Sequence, residues 1–126
     1  MLTLPPSVRI FLCTEATDMR RSFDALAMLT EQVVGESPFS GHLFVFHNRV
    51  GDKVKILYWD RDGLALWYKR LEKGTFEFSK GPARRIEVES DELAMLLGGF
   101  DLKGAKRRPR FTPPGAPVVP AASLGR

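Results

Sequence analysis

One cysteine, two histidines and two tyrosines stand in 126 residues, and each scarcity removes a class of chemistry. The lone Cys13 excludes an internal disulfide and any zinc site built on paired thiolates; inside the apolar run VRIFLC it reads as a small core residue. His42 and His47 lie five apart on one expected strand and so on opposite faces, which separates them as metal ligands. No apolar run approaches the roughly 20 residues of a membrane span, and the start MLTLPPSVRI has neither a basic leader nor an apolar signal core. A cytoplasmic protein without membrane contact is the expectation. Gly51, Gly63 and Gly74 are isolated turn glycines, no phosphate-binding loop is spelled, and no cofactor is expected.

Acid is missing from the last 24 residues. Residues 103–126 carry Lys103, Lys106, Arg107, Arg108, Arg110 and Arg126, leaving 13 basic against 15 acidic residues before them. The expected division is a nearly neutral compact domain over 1–102 and a basic tail over 103–126. With five prolines and no apolar periodicity, that tail buries too little surface to offset its ordering entropy, so it is expected to be disordered until it meets an anion.

The domain reads as α/β (α+β): a mainly antiparallel sheet with a central β-hairpin, one long N-terminal helix and one or two short helices. SVRIFLC suits a strand. Thr17 or Asp18 then caps a helix in which Phe23, Leu26, Ala27, Leu29, Thr30 and Val33 recur at helical spacing until Gly35. Two apolar-rich runs, His42 to His47 and Lys53 to Trp59, flank a polar turn and give the hairpin signal. In the second run Val54, Ile56 and Tyr58 share one face; Lys53, Lys55, Leu57 and Trp59 share the other, so one side is expected in the core and the other partly exposed. Leu64, Trp67, Tyr68 and Leu71 have helical spacing, with strand alternation almost as good. TFEFS and RIEVES read as strands, and Ser90 is expected to cap a final helix through Leu97.

Three kinds of chemistry compete for the charged and aromatic residues. Asp18, Asp24, Asp60 and Asp62 with Glu87 or Glu89 would have to converge for a two-metal nuclease, and each has a simpler use as a cap or turn residue. No catalytic residue is expected on that ground. A binding module fits better, with DNA-binding candidates Arg20, Arg21, Arg49, Lys53, Lys55, Arg84 and Arg85 in the domain and Lys103, Lys106, Arg107, Arg108 and Arg110 in the tail. Trp59, Trp67 and Tyr68 are partner-contact candidates, at least one of them exposed. A solvated charged face around core aromatics remains open as the plainer alternative. Arg20 and Arg21 at a helix start oppose the helix dipole and call for a carboxylate, Asp18 or Asp24, or a phosphate.

The segments TDMRRSFDAL and PFSGHLFVFHNRVGDKVKILYWDRDGLALWYKRLEKGTF, followed by a short acidic-started helix, resemble the small accessory proteins of insertion-sequence-66-type transposable elements over about residues 3–100. That family is often called TnpB, a name shared with an unrelated RNA-guided nuclease that this chain is too short to be. The resemblance implies a non-catalytic part in bacterial DNA transposition beside a separate, larger transposase. Contact with DNA, contact with the transposase, or both are the mechanisms it leaves open.

Overall fold

The structure, a computed structural model, describes residues 5–78, 81–98 and 113–114. Five strands, β1 (Ile10–Cys13), β2 (Leu43–His47), β3 (Lys53–Asp60), β4 (Gly63–Arg70) and β5 (Arg85–Val88), form one sheet in the order β4-β3-β2-β1-β5. Helix α1 (Phe23–Leu29) lies between β1 and β2, and helix α2 (Ser90–Gly98) follows β5. The sheet is mixed: β1 and β2 are parallel, joined by the crossover that carries α1, and the other three pairings are antiparallel.

Burial explains which runs alternate and which do not. On one face Ile10, Leu12, Leu43, Val45, Val54 and Ile56 pack with Leu93 and Leu96 of α2 and with Phe76. On the other, Phe11, Cys13, Phe44, Phe46 and Leu57 meet Leu26 and Val34. Every residue of β1 and β2 is buried, which is why IFLC and LFVFH are almost continuously apolar. β3 departs from the expected half-exposed strand: Lys55 and Leu57 are buried along with Val54 and Ile56, because α1 and the loop before it cover the second face.

The long N-terminal helix is shorter than its periodicity promised. Asp18 does not cap it; the first helical bond runs from the Leu26 N–H to the Ser22 carbonyl, and α1 ends at Leu29. A single π-turn, Thr30–Val34, follows, in which the buried Thr30 hydroxyl donates back to the Leu26 carbonyl at 2.9 Å and the Gly35 N–H reaches the Thr30 carbonyl at 2.9 Å. The wider winding puts Leu26, Thr30 and Val34 at four-residue steps against the sheet, and Gly35 at φ 77° ends it.

The expected hairpin is part of a three-strand meander. β2 and β3 do pair, but the tighter turn joins β3 to β4, through Arg61 at φ 60° and Asp62, where the helical reading of residues 64–71 gives way to an eight-residue strand. Residues 75–78 of TFEFS form no strand; Phe76 packs into the core, and Phe78 stacks on His47 at 4.4 Å between centroids. Glu89, not Ser90, supplies the start of α2. Its carbonyl accepts from the Leu93 N–H at 3.0 Å, and its N–H donates to the Glu92 carboxylate at 2.9 Å, one arm of a capping box. The basic tail expected over 103–126 lies outside the described residues, Pro113 and Pro114 excepted.

Candidate nucleic-acid interface

Two loops at one end of the sheet are held rigidly by backbone ties, and together they shape a cleft. The β2–β3 loop is organised by Asn48: its Oδ1 accepts from the Gly51 and Lys53 N–H groups at 2.9 and 3.1 Å, and its Nδ2 donates to Asp52 at 2.6 Å. Gly51, at φ 89°, is buried with its carbonyl accepting from Phe76 at 2.8 Å, so a left-handed conformation is fixed there by the packing. The loop before α1 is tied at Thr17, whose N–H donates to the His47 carbonyl at 2.8 Å.

The strongest tie comes from Lys55. Its side chain is only 6% exposed, and its Nζ donates to the carbonyls of Met19 and Arg21, both at 2.7 Å, while lying 4.7 Å from the Tyr68 ring centroid. Burial pushes the ammonium below its usual pKa, and the Asp18 carboxylate acts in the opposite direction. Sequence placed Lys55 among the DNA contacts; the structure turns it inward, as the fastening of the loop that carries Arg20 and Arg21.

The resulting cleft, about 550 Å³, is lined by Asp18, Arg20, Asn48, Arg49, Lys53 and Tyr68, with Ala16, Thr17, Met19 and Val50 completing the wall. Three cations face one carboxylate. Arg49 is exposed, Lys53 is half-buried, and Tyr68 is 50% exposed. Arg20 is engaged by Asp18, at 2.7 Å from Nη2 and 3.1 Å from Nε, and Asp18 also accepts the Arg20 backbone N–H at 2.9 Å. The charge of Arg20 is thereby met within the loop: it belongs to a turn before the helix and its partner is Asp18.

That pairing holds the Asp18 carboxyl at about 2, below its ordinary 3.8, chiefly through the Arg20 side chain and then the Arg20 N–H. A depressed carboxylate contributes stability that is complete above the ordinary value and disappears as pH falls from about 4 through about 2. A carbon-detected NMR titration should find the Asp18 midpoint near 2, and Arg20→Ala should move it toward the ordinary value. An unchanged midpoint in the variant would remove Arg20 as the cause.

The remaining candidates disperse. Arg21 lines a second, smaller concavity of about 250 Å³ with Glu15 and Arg84, and Arg84 is 3.0 Å from Glu15. Arg85 turns to the far end of the π-turn, donating to the Val34 carbonyl at 2.9 Å and pairing with Glu36 at 2.8 Å. Trp59 and Trp67 are half-buried, Trp59 edge-on to the exposed Phe39 and Trp67 against the α2 face. Lys103, Lys106, Arg107, Arg108 and Arg110 lie outside the described residues. Sequence reasoning offered Asp18 as the partner of Arg20, which the structure bears out, and missed Asn48 as an organiser of the cleft, for which the linear signal was the polar turn HNRVGD.

The carboxylates weighed for a nuclease stand apart. Asp18 is on Arg20, Glu87 is on Arg9 at 2.6 Å, and Asp60 and Asp62 flank the β3–β4 turn. Among the described residues no three His, Cys, Asp or Glu side chains gather to hold a metal ion. Among them, too, no helix is long and apolar enough to cross a membrane.

Comparison with known proteins agrees with the resemblance seen in the sequence. "Uncharacterized protein y4hO" of Sinorhizobium fredii (strain NBRC 101917 / NGR234) is 36% identical over 101 residues, 80% of this chain and 88% of that protein. "Uncharacterized protein y4jC" of the same strain is 31% identical over 102 residues, 81% of this chain and 87% of that protein. No solved structure matches. The family described as IS66 Orf2 like protein matches residues 8–107, taking in Lys103, Lys106 and Arg107 beyond the segment in which the resemblance was first read. The chain therefore belongs to the IS66 Orf2-like family, the accessory proteins associated with transposition of these elements.

Proposed function

We propose that the protein is a non-catalytic accessory factor in transposition that holds a nucleic-acid backbone in the cleft between the loop before α1 and the β2–β3 loop. One observation carries this reading: Arg20, from the loop before α1, meets Arg49 and Lys53 of the β2–β3 loop in one concave site beside a half-exposed tyrosine. Phosphates favour such donors, and an exposed ring offers a base a stacking surface without demanding a particular sequence. Arg49 and Lys53 have no side-chain partner among the described residues, so both remain available to an anion. Asp18 lies in the same wall and favours a contact made by Arg49 and Lys53 first, with Arg20 partly neutralised.

Titration of the full chain onto labelled duplex DNA at several salt concentrations tests the reading. Three phosphate contacts predict that log K falls with log salt with a slope of about −3, steeper by the contribution of any tail cations. A slope near zero, with retention on the element's transposase after nuclease treatment, would replace DNA contact with a protein adaptor docked through its aromatics.

A further inference from the structure

We propose that β4 is a self-complementary edge through which two copies of this chain pair, antiparallel, into one continuous ten-stranded sheet. The sheet has two edges, and they are built differently. β5 is four residues long and carries Arg85 and Glu87, beside Glu36 and Arg9, the short charged edge that discourages strand addition. β4 is eight residues long, pairs with β3 along its whole length, and from Gly63 to Trp67 has no charge and no proline. Alternate residues of such an edge strand turn their N–H and C=O groups outward. Among the described residues none bonds to that side of β4.

What fits this edge is a second β4. Antiparallel pairing about a two-fold axis places residues of the same sheet face opposite one another, and the register centred on Leu66 satisfies every position at once. Leu66 then faces its own copy, and Leu64 meets Tyr68 on the face that bears α1. On the other face Trp67 meets Ala65, the largest side chain opposite a small one. Lys69 meets Gly63, and the exposed Asp62 meets the exposed Arg70 twice, once on each side of the axis. Acid precedes the strand and base ends it, which is the order an antiparallel copy requires. The contact between Arg70 and Glu72, 2.6 Å long and exposed, is of a kind worth little and does not hold Arg70 back. Because the axis is perpendicular to the sheet, both clefts of such a dimer open on the same side. The pairing does not rest on the nucleic-acid reading, but it packs Tyr68 against Leu64 of the second copy and so covers part of the ring that reading offers to a base.

One strand pair buries less than the roughly 1,200–2,000 Å² of a stable interface, so dissociation is expected on the order of 10–100 µM. Sedimentation of the full chain across that range tests it, and charge exchange identifies the surface. Asp62→Arg places two arginines opposite each other and Arg70→Asp two aspartates; each should weaken the dimer about tenfold, and the double variant should recover to within about threefold of the original. Both positions are exposed, so folding is unaffected. Amide exchange should show concentration-dependent protection within 63–70. A monomer throughout the range, a dimer indifferent to both single changes, or a double variant no tighter than the singles overturns the proposal.

Discussion

Lys55→Met should lower the melting temperature by about 10–30 °C, the largest stability change expected from any polar residue of the domain. Methionine keeps the unbranched stem and most of the volume, so the change isolates the ammonium. Two forces oppose each other at this site. Burial of a charge is costly, and the downward displacement of the Lys55 pKa registers that cost. Against it stand two short charge-assisted bonds to the Met19 and Arg21 carbonyls, each worth about 1.5–3 kcal/mol, and the contact with the Tyr68 ring. The bonds win because their acceptors are loop carbonyls: methionine would leave both without this donor, at about 1–3 kcal/mol each if water does not replace it. A net loss of about 2–4 kcal/mol follows, at roughly 4–8 °C per kcal/mol in a domain of this size. Calorimetry measures it, and amide exchange localises it to residues 17–22. A variant as stable as the parent, with that loop still protected, would show that the ammonium holds nothing.

Lys55 also shows where sequence reading reaches its limit. On β3 the alternation of Val54, Ile56 and Tyr58 with Lys53, Lys55, Leu57 and Trp59 was legible, and so was the split into two faces. What the alternation could not show is that a loop closes over the second face, since a lysine on a strand reads as solvated unless the carbonyls that receive it are known. The same limit governs the π-turn. Helical spacing over residues 23–33 is real, but the hydroxyl of Thr30 bonding back to Leu26 is a local event that changes the winding without changing the pattern. β4 was ambiguous for a third reason. Leu64, Trp67, Tyr68 and Leu71 satisfy helical spacing by residue type, and only the β3 ladder, from Lys53 paired with Arg70 to Asp60 paired with Gly63, decides for a strand.

The binding residues divide in the same way. Adjacent pairs looked like units in the sequence, yet Arg20 and Arg21 line different concavities, and Arg84 and Arg85 reach different carboxylates. Adjacent residues in a turn or strand point apart, so Arg20 joins Arg49 and Lys53 of another loop and not its neighbour Arg21. The cleft unites Arg20 with Arg49 and Lys53 through the two loop ties of Asn48 and Lys55; the polar turn HNRVGD hints at the first, and the second has no linear signature.

Charge reversal at the cleft should therefore separate its contribution from that of the basic segment. Arg49→Glu with Lys53→Glu is expected to weaken binding to duplex DNA about 100-fold at ~0.1 M salt and to make the slope of log K against log salt shallower by about two. The expectation rests on two lost phosphate contacts, each about one unit of slope, with the introduced carboxylates repelling the same phosphates. Stability should hardly change, because neither side chain has a partner among the described residues. The counterpart variant replaces Lys103, Lys106, Arg107, Arg108 and Arg110 with glutamine and leaves the cleft intact. If those five cations carry the binding, that second variant loses up to about four units of slope while the first loses none. If the cleft binds, the first variant loses affinity for duplexes of unrelated sequence by the same factor, since backbone contacts read no bases. Fluorescence anisotropy on two duplexes of different sequence, with melting curves for both variants, distinguishes the outcomes: a cleft variant that keeps the full slope and affinity removes Arg49 and Lys53 from the interface.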